Sequence, residues 1–145
     1  MNWKLVFPLC VFGPLMGALM VLGVFPEGTD RYAWFVVVVV TAIVVARREP
    51  ERALLHAGTI GFVNGAVATL VQALFLSALT ANNPFILEKF SKQPPGFDLQ
   101  YFVFMLVPFI GVAGGAMTGL LAMLAARVMT RRDVERSKGR GETPP

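Results

Sequence analysis

Four long stretches of this chain contain no Asp, Glu, Lys or Arg, and they constrain its fold more than any other feature. They are residues 5–26, 32–46, 53–87 and 99–126. An α-helix rises about 1.5 Å per residue, so about 20 residues are needed to cross roughly 30 Å of hydrocarbon. Charged residues make up only 15% of the chain, whereas a soluble domain has about a quarter. The sequence therefore indicates an integral membrane protein.

The stretches predict an all-α fold, a four-helix bundle whose transmembrane spans cover about residues 4–25, 32–47, 53–81 and 99–127. The second stretch is short, but the arginines that flank it have long side chains that can reach the head groups. The first stretch is longer than the apolar core of a secretory signal peptide and lacks a small-residue cleavage site. We therefore expect an uncleaved first helix.

Proline and asparagine mark where the predicted spans bend or stop. Pro8 and Pro14 each remove a helical hydrogen bond and predict kinks in the first span. The Asn-Asn-Pro sequence at 82–84 predicts the end of the third span, because the residue before a proline is driven out of the helical conformation. The segment from Asn83 to Asp98 then contains either a short helix that begins at Pro84 and lies on the membrane surface, or an irregular loop. The tight turn at 26–30 predicts that the first two spans are antiparallel neighbours.

The distribution of basic residues predicts the orientation. If the chain crosses the membrane four times, ten of the 13 lysines and arginines fall on one side. Basic residues are retained in the cytoplasm, so we expect both termini on the cytoplasmic side of a bacterial inner membrane. This topology accounts for the net charge of +4 without nucleic acid as a partner. Residues 1–130 are predicted to form the membrane domain, and residues 131–145 a disordered basic tail.

Small residues gather on one face of the last predicted span, and bulky residues cover the rest. In lipid, helices attract one another largely through close backbone approach at such faces. The third span has a matching ridge of small residues, so we expect the third and fourth spans to pack directly. A homodimer or larger assembly through the same face is the alternative. The second span lacks glycine and is expected to face lipid. The predicted packing residues are Gly13, Gly17, Gly61, Gly65, Gly111, Gly115 and Gly119.

Three polar residues lie within the third predicted span, and polar groups inside a membrane are functional candidates. They are His56, Asn64 and Gln72. Each step of eight residues turns the helix by about 80°, so the three side chains do not form one line. No acidic residue lies in any predicted span, which disfavours a transporter coupled to protons or cations. Asn64 is expected to form hydrogen bonds across a helix contact.

The residues predict no catalytic group, no metal site and no cofactor. Cys10 is the only cysteine, and paired carboxylates or metal-ligand spacings are missing from the sequence. His56 is interpreted as an interfacial histidine, with axial ligation of a haem or chlorin as a less favoured alternative, because the chain has a single histidine.

Several features together resemble a known family. They are the basic pair Arg47-Arg48 after the second span, the third helix ending before Asn83-Pro84, and a glycine-rich last helix closed by Arg131-Arg132. Phe85 and Glu88 follow the proline as an aromatic and an acid. The chain thereby resembles the bacterial four-helix membrane proteins grouped as domain of unknown function 4199. The resemblance implies four helices and no activity.

Two functional hypotheses follow from these features. The first is a non-enzymatic structural or accessory subunit, whose partners are the lipid bilayer and other membrane proteins or a second copy of the chain. The alternative is a small transporter or channel for a neutral or lipid-like solute, with Asn64 and Gln72 lining a passage.

Overall fold

In the described part of the chain, all regular secondary structure is helical, as predicted. The computed structural model describes residues 1–90, 93 and 96–139, with the backbone alone at 133, 134 and 136–139. A single 3₁₀ turn, Pro50–Arg52, connects two of the longer helices. The helices are α1 (Trp3–Cys10), α2 (Phe12–Val21), α3 (Asp30–Arg48), α4 (Ala53–Leu74), α5 (Leu76–Asn82), α6 (Pro84–Phe90) and α7 (Leu99–Gly139).

Three helical segments of the described chain are long and apolar enough to cross a membrane. They are Trp3–Val21, which combines α1 and α2, Pro50–Leu74 and Leu99–Arg132. The remaining long helix, α3, has 19 residues and carries charged side chains at both ends. The uncharged part of α3, residues 32–46, is therefore shorter than the uncharged parts of the other three segments.

The first span is interrupted near its middle. α1 ends at Cys10, Val11 lies outside both helices, and α2 begins at Phe12. Pro14 lies in the first turn of α2, where it lacks an N–H and its ring crowds the carbonyl of Cys10. The first span is therefore interrupted before Pro14, whereas α1 continues through Pro8.

The first span also ends earlier than residue 25, because α2 closes with a glycine cap. Gly23 has a φ of 67°. Its N–H donates to the carbonyl of Met20, and the N–H of Val24 donates to the carbonyl of Leu19. This pair of bonds is the Schellman motif, which terminates a helix at a left-handed glycine.

The third predicted span, residues 53–81, is not one continuous helix. α4 stops at Leu74, and Phe75 has φ −110° and ψ 34°, outside the helical region. Beside the break, the side-chain amide of Gln100 in α7 donates to the carbonyl of Ala73 at 3.4 Å. A side chain that bonds into the helical ladder is a recognised cause of such breaks. The predicted stop before Pro84 is present, and residues Pro84–Phe90 form the short helix.

The described residues of the predicted disordered tail, 131–139, belong to a helix. α7 continues to Gly139. No glycine or proline lies between Arg127 and Gly139, and arginine, glutamate and lysine favour helix. Residues 140–145 lie outside the described part.

α4 is the central helix of the bundle. It packs most extensively against α7, and α1 and α2 cover another side of it. The side chains of Val6, Val45 and Ile60 are among the most deeply buried and belong to α1, α3 and α4. These helices therefore share one apolar core, in which alanines fill much of the remaining contact.

The expectation that the second span mainly faces lipid is wrong for one of its faces. α3 packs chiefly against α7 and only weakly against α2. Its buried residues, Val38, Thr41, Ala42, Val45 and Ala46, recur at helical spacing. Phe35, Val36 and Val40 on other faces are exposed. α3 thus reaches its neighbours through valine, threonine and alanine rather than glycine, and the tight turn after α2 leads it towards α7.

Both ends of the described chain lie at the same end of the bundle. The side-chain amide of Asn2 donates to Glu49 Oε1 at 2.8 Å, which joins the N-terminus to the turn after α3. The segment from Pro50 to Leu54 lies beside Ala126–Arg131 of α7 around one groove. We call this the basic end. At the opposite end, the side-chain amides of Asn82 and Asn83 donate to the carbonyls of Val21 and Met20, both at 2.9 Å.

Candidate functional site

The contact between α4 and α7 brings backbone against backbone. A methyl group added at Gly61 would lie 2.5 Å from the carbonyl oxygen of Gly114. One added at Gly115 would lie 2.8 Å from the carbonyl oxygen of Gly58, and one at Gly65 2.9 Å from that of Ile110. We call this contact the glycine seam; it comprises Gly58, Gly61, Gly65, Gly111, Gly114, Gly115 and Gly119. The small-residue face of the last span is therefore covered by the chain's own α4.

Gly13 and Gly17 bring α2 against another side of α4. A methyl group on Gly13 would lie 2.7 Å from the Cα of Asn64, and one on Gly17 would lie 3.0 Å from the carbonyl oxygen of Ala68. All seven glycines named from the sequence thus lie at helix contacts within the chain, all of which involve α4.

The side chain of Asn64 bridges the interruption between α1 and α2. Its Oδ1 accepts a hydrogen bond from the N–H of Gly13 at 2.8 Å, and its Nδ2 donates to the carbonyl of Leu9 at 2.9 Å. In an uninterrupted helix, this N–H would bond directly to this carbonyl, because they are four residues apart. Asn64 is 3% exposed, so the bridge satisfies backbone groups in a region without water, where unpaired polar groups are costly.

His56 is fully buried at the basic end, and both of its ring nitrogens are bonded to backbone. The N–H of Asn2 donates to Nε2 at 2.8 Å, and Nδ1 lies 3.0 Å from the carbonyl oxygen of Arg52. A carbonyl only accepts, so Nδ1 carries the proton and Nε2 accepts, which requires the neutral ring. An axial ligand to a haem would have to give up one of these bonds.

Gln72 lies two turns of helix beyond Asn64 and bonds elsewhere. Its Nε2 lies 3.2 Å from the sulfur of Met20 in α2. A thioether is a weak acceptor. The structure therefore brings His56, Asn64 and Gln72 to three separate contacts, with the N-terminus, the kink and the end of α2.

A cleft of about 290 Å³ lies between α3, α4 and α7. We call it the interhelical cleft. Its volume is close to the lower end of the range for small-molecule sites, and its walls are almost entirely apolar with few polar groups, as in such sites. Asn64 lies on its wall, as does Trp34. The lining residues are Trp34, Val37, Val38, Thr41, Gly61, Asn64, Gly65, Ile110, Ala113, Gly114, Met117 and Thr118.

The hydroxyl of Thr41 is the notable polar group of this cleft. The residue is 1% exposed, and among the described residues its Oγ1 is the one fully buried side-chain oxygen or nitrogen that lacks a hydrogen-bond partner. In contrast, the hydroxyl of Thr118, on the same cleft, donates to the carbonyl of Gly114 at 2.7 Å. An unpaired hydroxyl in an apolar environment costs free energy.

Sequence reasoning missed Thr41, although a signal was present. Val38, Thr41, Ala42 and Val45 share one helical face, and Thr41 is the only hydroxyl residue between Ala33 and Ala46. Because the second span was expected to face lipid, the burial of this face was not predicted.

A second cleft, of about 340 Å³, adjoins the first. Trp34, Gly65 and Ile110 line both clefts. The second one extends to Asp30, Gln72 and the short helix α6 at the opposite end. Asn64 and Gln72 therefore do not lie in one cavity, but they line two neighbouring ones.

Comparison of the chain with protein-family models, with curated proteins and with solved structures finds no match. The resemblance to domain of unknown function 4199 therefore stays a prediction. In the part of the chain that the structure describes, no group of three or more histidine, cysteine or acidic residues is arranged to hold a metal ion.

Proposed function

We propose that this chain is a four-span protein of a bacterial inner membrane with both termini in the cytoplasm. The N-terminus lies beside the turn after α3, and the same turn lies beside Arg127 and Arg131 of α7, which supports an even number of crossings. The concentration of arginine at that end supports its cytoplasmic side. In addition to the three segments that are long and apolar enough, α3 also crosses the membrane. It is anchored by Arg31 at one end and by Arg47 and Arg48 at the other.

The function that the geometry supports best is non-enzymatic binding of a neutral, lipid-like molecule in the interhelical cleft. The observation that carries the proposal is the cleft itself, an apolar space between three helices close to the middle of α3 and α4. Such a protein carries or senses a molecule that dissolves in the hydrocarbon layer, so its ligand reaches the cleft from the bilayer.

The accessory subunit is less well supported. The accessory-subunit hypothesis was based on the small-residue face of the last span, and α4 covers that face within the chain. A partner or a second copy would have to dock on the bulky side chains of α7, such as Phe109, Val112 and Leu120, which are exposed. In a membrane protein, lipid also covers such a face.

The proposal is tested by filling the cleft with a larger side chain. Ala113 and Ala116 are both exposed alanines of α7, but only Ala113 lines the cleft. Trp34 is one of two tryptophans in the chain, so the Trp3→Phe protein reports from Trp34 alone. Trp34 lines both clefts, and Ala113, which lines only the interhelical cleft, distinguishes them. In lipid nanodiscs, its fluorescence is titrated with a prenylated benzoquinone and with a brominated diacylglycerol, both of which quench tryptophan.

We expect saturable quenching by at least one probe, loss of saturation in Ala113→Phe, and retention in the matched variant Ala116→Phe. Both variants should retain the wild-type circular dichroism spectrum. Quenching that rises linearly with both probes, or that Ala113→Phe leaves saturable, would overturn the proposal.

A further inference from the structure

We infer that the cleft selects a hydrocarbon-soluble molecule that carries a carbonyl group at mid-membrane depth, the chemistry of a prenylated quinone, and that Thr41 donates the hydrogen bond that selects it. The inference rests on the proposed function of the cleft. It adds the polar contact and the ligand class.

The first step is the chemistry of the unpaired group. Thr41 lines the cleft, and its hydroxyl oxygen is buried and has no hydrogen-bond partner among the described residues. A hydroxyl donates one hydrogen bond and accepts two. A carbonyl oxygen in the cleft would accept the proton and remove the cost of burying it alone. A pure hydrocarbon would leave that cost in place.

The second step is depth. Thr41 is seven residues from the end of α3 at Arg48 and eleven from its start at Asp30. At a rise of about 1.5 Å per residue, it lies roughly 10 Å from one end of the helix and 16 Å from the other. The ester carbonyls of glycerolipids belong to the interfacial layer, outside the hydrocarbon core. A quinone ring dissolved in the core has carbonyls at the depth of Thr41.

The third step is the aromatic wall. The Trp34 ring lies along the same helix, two turns before Thr41, and lines the cleft. Aromatic rings favour offset stacking and edge contacts with other flat π-systems. A planar ring that also carries carbonyls uses both Trp34 and Thr41, whereas a flexible acyl chain uses neither in this way.

Two other polar side chains of the cleft, those of Thr118 and Asn64, are already bonded. Thr118 donates to Gly114, and the Asn64 amide is held by Gly13 and Leu9. Thr118 is therefore the matched control for Thr41, because it has the same side chain on the same cleft with its proton in use.

The experiment compares Thr41→Val, Thr41→Ser and Thr118→Val in the Trp3→Phe background. Valine keeps the shape of threonine without its hydroxyl. In nanodiscs, quenching by a prenylated benzoquinone gives its dissociation constant. The prenylated benzene that lacks both carbonyls, and an unbrominated diacylglycerol, are measured by displacement of the quinone.

We expect Thr41→Val to weaken quinone binding about tenfold, which corresponds to one hydrogen bond of about 1.4 kcal/mol. Thr41→Ser and Thr118→Val should stay within about twofold of the parent protein. The prenylated benzene should bind about equally to the parent and to Thr41→Val. The ligand-free Thr41→Val protein should also unfold at a higher temperature than its parent, because it no longer buries an unpaired hydroxyl.

Equal quinone affinity in the parent and Thr41→Val would overturn the assignment of Thr41, and a preference for diacylglycerol over the quinone would overturn the ligand class. In both cases, binding that Ala113→Phe abolishes would leave the cleft itself as the site. Loss of saturable binding in every variant, including the parent, would instead remove the proposed function.

Discussion

α4 meets α7 and α3 in two different ways, and the difference separates a closely packed part of this bundle from the part that contains the interhelical cleft. Towards α7, glycines place the two backbones in contact and leave no room for a methyl group at Gly61. Towards α3, valine and threonine side chains line the interhelical cleft, which remains between the helices.

The third contact of α4, with α1 and α2, uses a polar side chain. Asn64 bonds both backbone groups exposed at the kink. Within lipid, such groups have no water to bond, so they must be satisfied by the protein. The same helix thus combines a dry backbone seam, a polar bridge and one wall of the interhelical cleft.

The largest effect is expected at the glycine seam, with Gly61→Ala. A methyl group there would lie 2.5 Å from the backbone of α7, which cannot move without opening the seam. We expect the free energy of unfolding to fall by about 3 kcal/mol, the upper part of the range for overpacking. Unfolding by sodium dodecyl sulfate in bicelles measures it.

The matched control is Gly58→Ala, on the same seam. Its added methyl group would lie 3.5 Å from the nearest atom, the carbonyl oxygen of Gly115. This is ordinary contact, and alanine favours helix over glycine by about 1 kcal/mol. Its stability should equal or exceed that of the parent. Similar losses in both variants would show that the seam is not closed as described.

The next effect is expected at the polar bridge, with Asn64→Leu. The change removes two hydrogen bonds and leaves the N–H of Gly13 and the carbonyl of Leu9 without this partner. We expect a loss of about 2 kcal/mol, within the range for unsatisfied buried groups. In Gln72→Leu, where the amide bonds only a thioether, the loss should be about 0.5 kcal/mol. A larger loss in Gln72→Leu than in Asn64→Leu would reverse our ranking of the two amides.

A smaller effect than at the seam or the polar bridge is expected at the basic end, with His56→Phe. The aromatic ring keeps much of the packing but releases the N–H of Asn2 and the carbonyl of Arg52. We expect about 1 kcal/mol of local destabilisation, seen as faster hydrogen exchange in the first turns of α1. Leu55→Ala, at an exposed position of the same helix, should leave this exchange unchanged. Unaltered exchange in His56→Phe would argue against the anchoring role of the histidine.

Much of the fold is predictable because a bilayer imposes strict conditions on length and composition. The uncharged stretches predicted helices at the correct places, and the glycines at four-residue spacing indicated which helices lie close. The continuity of the third span was not predictable, because Phe75 and its neighbours are ordinary helix-compatible residues. The break there lies beside Gln100, a residue of another helix. The end of α7 was predicted to be disordered because of its polar composition. The segment nevertheless contains no helix-breaking residue before Gly139.

The candidate site was only partly predictable. Asn64 was identified because a polar residue in a span needs a partner, and its partners are the donor and acceptor exposed at a proline-induced kink. Thr41 was not, because its importance depends on which face of α3 is buried.

The sequence alone therefore determined the helical class, the apolar stretches and the small-residue faces, since these depend on composition and on helical periodicity. Only the tertiary structure decided that the glycine face is used within the chain, that the amide of Asn64 spans the interruption between α1 and α2, and that a cleft remains between α3, α4 and α7. The spacing between helices depends on side chains from both partners at once. That is why a cleft with an unpaired hydroxyl appears only after three distant segments have been packed together.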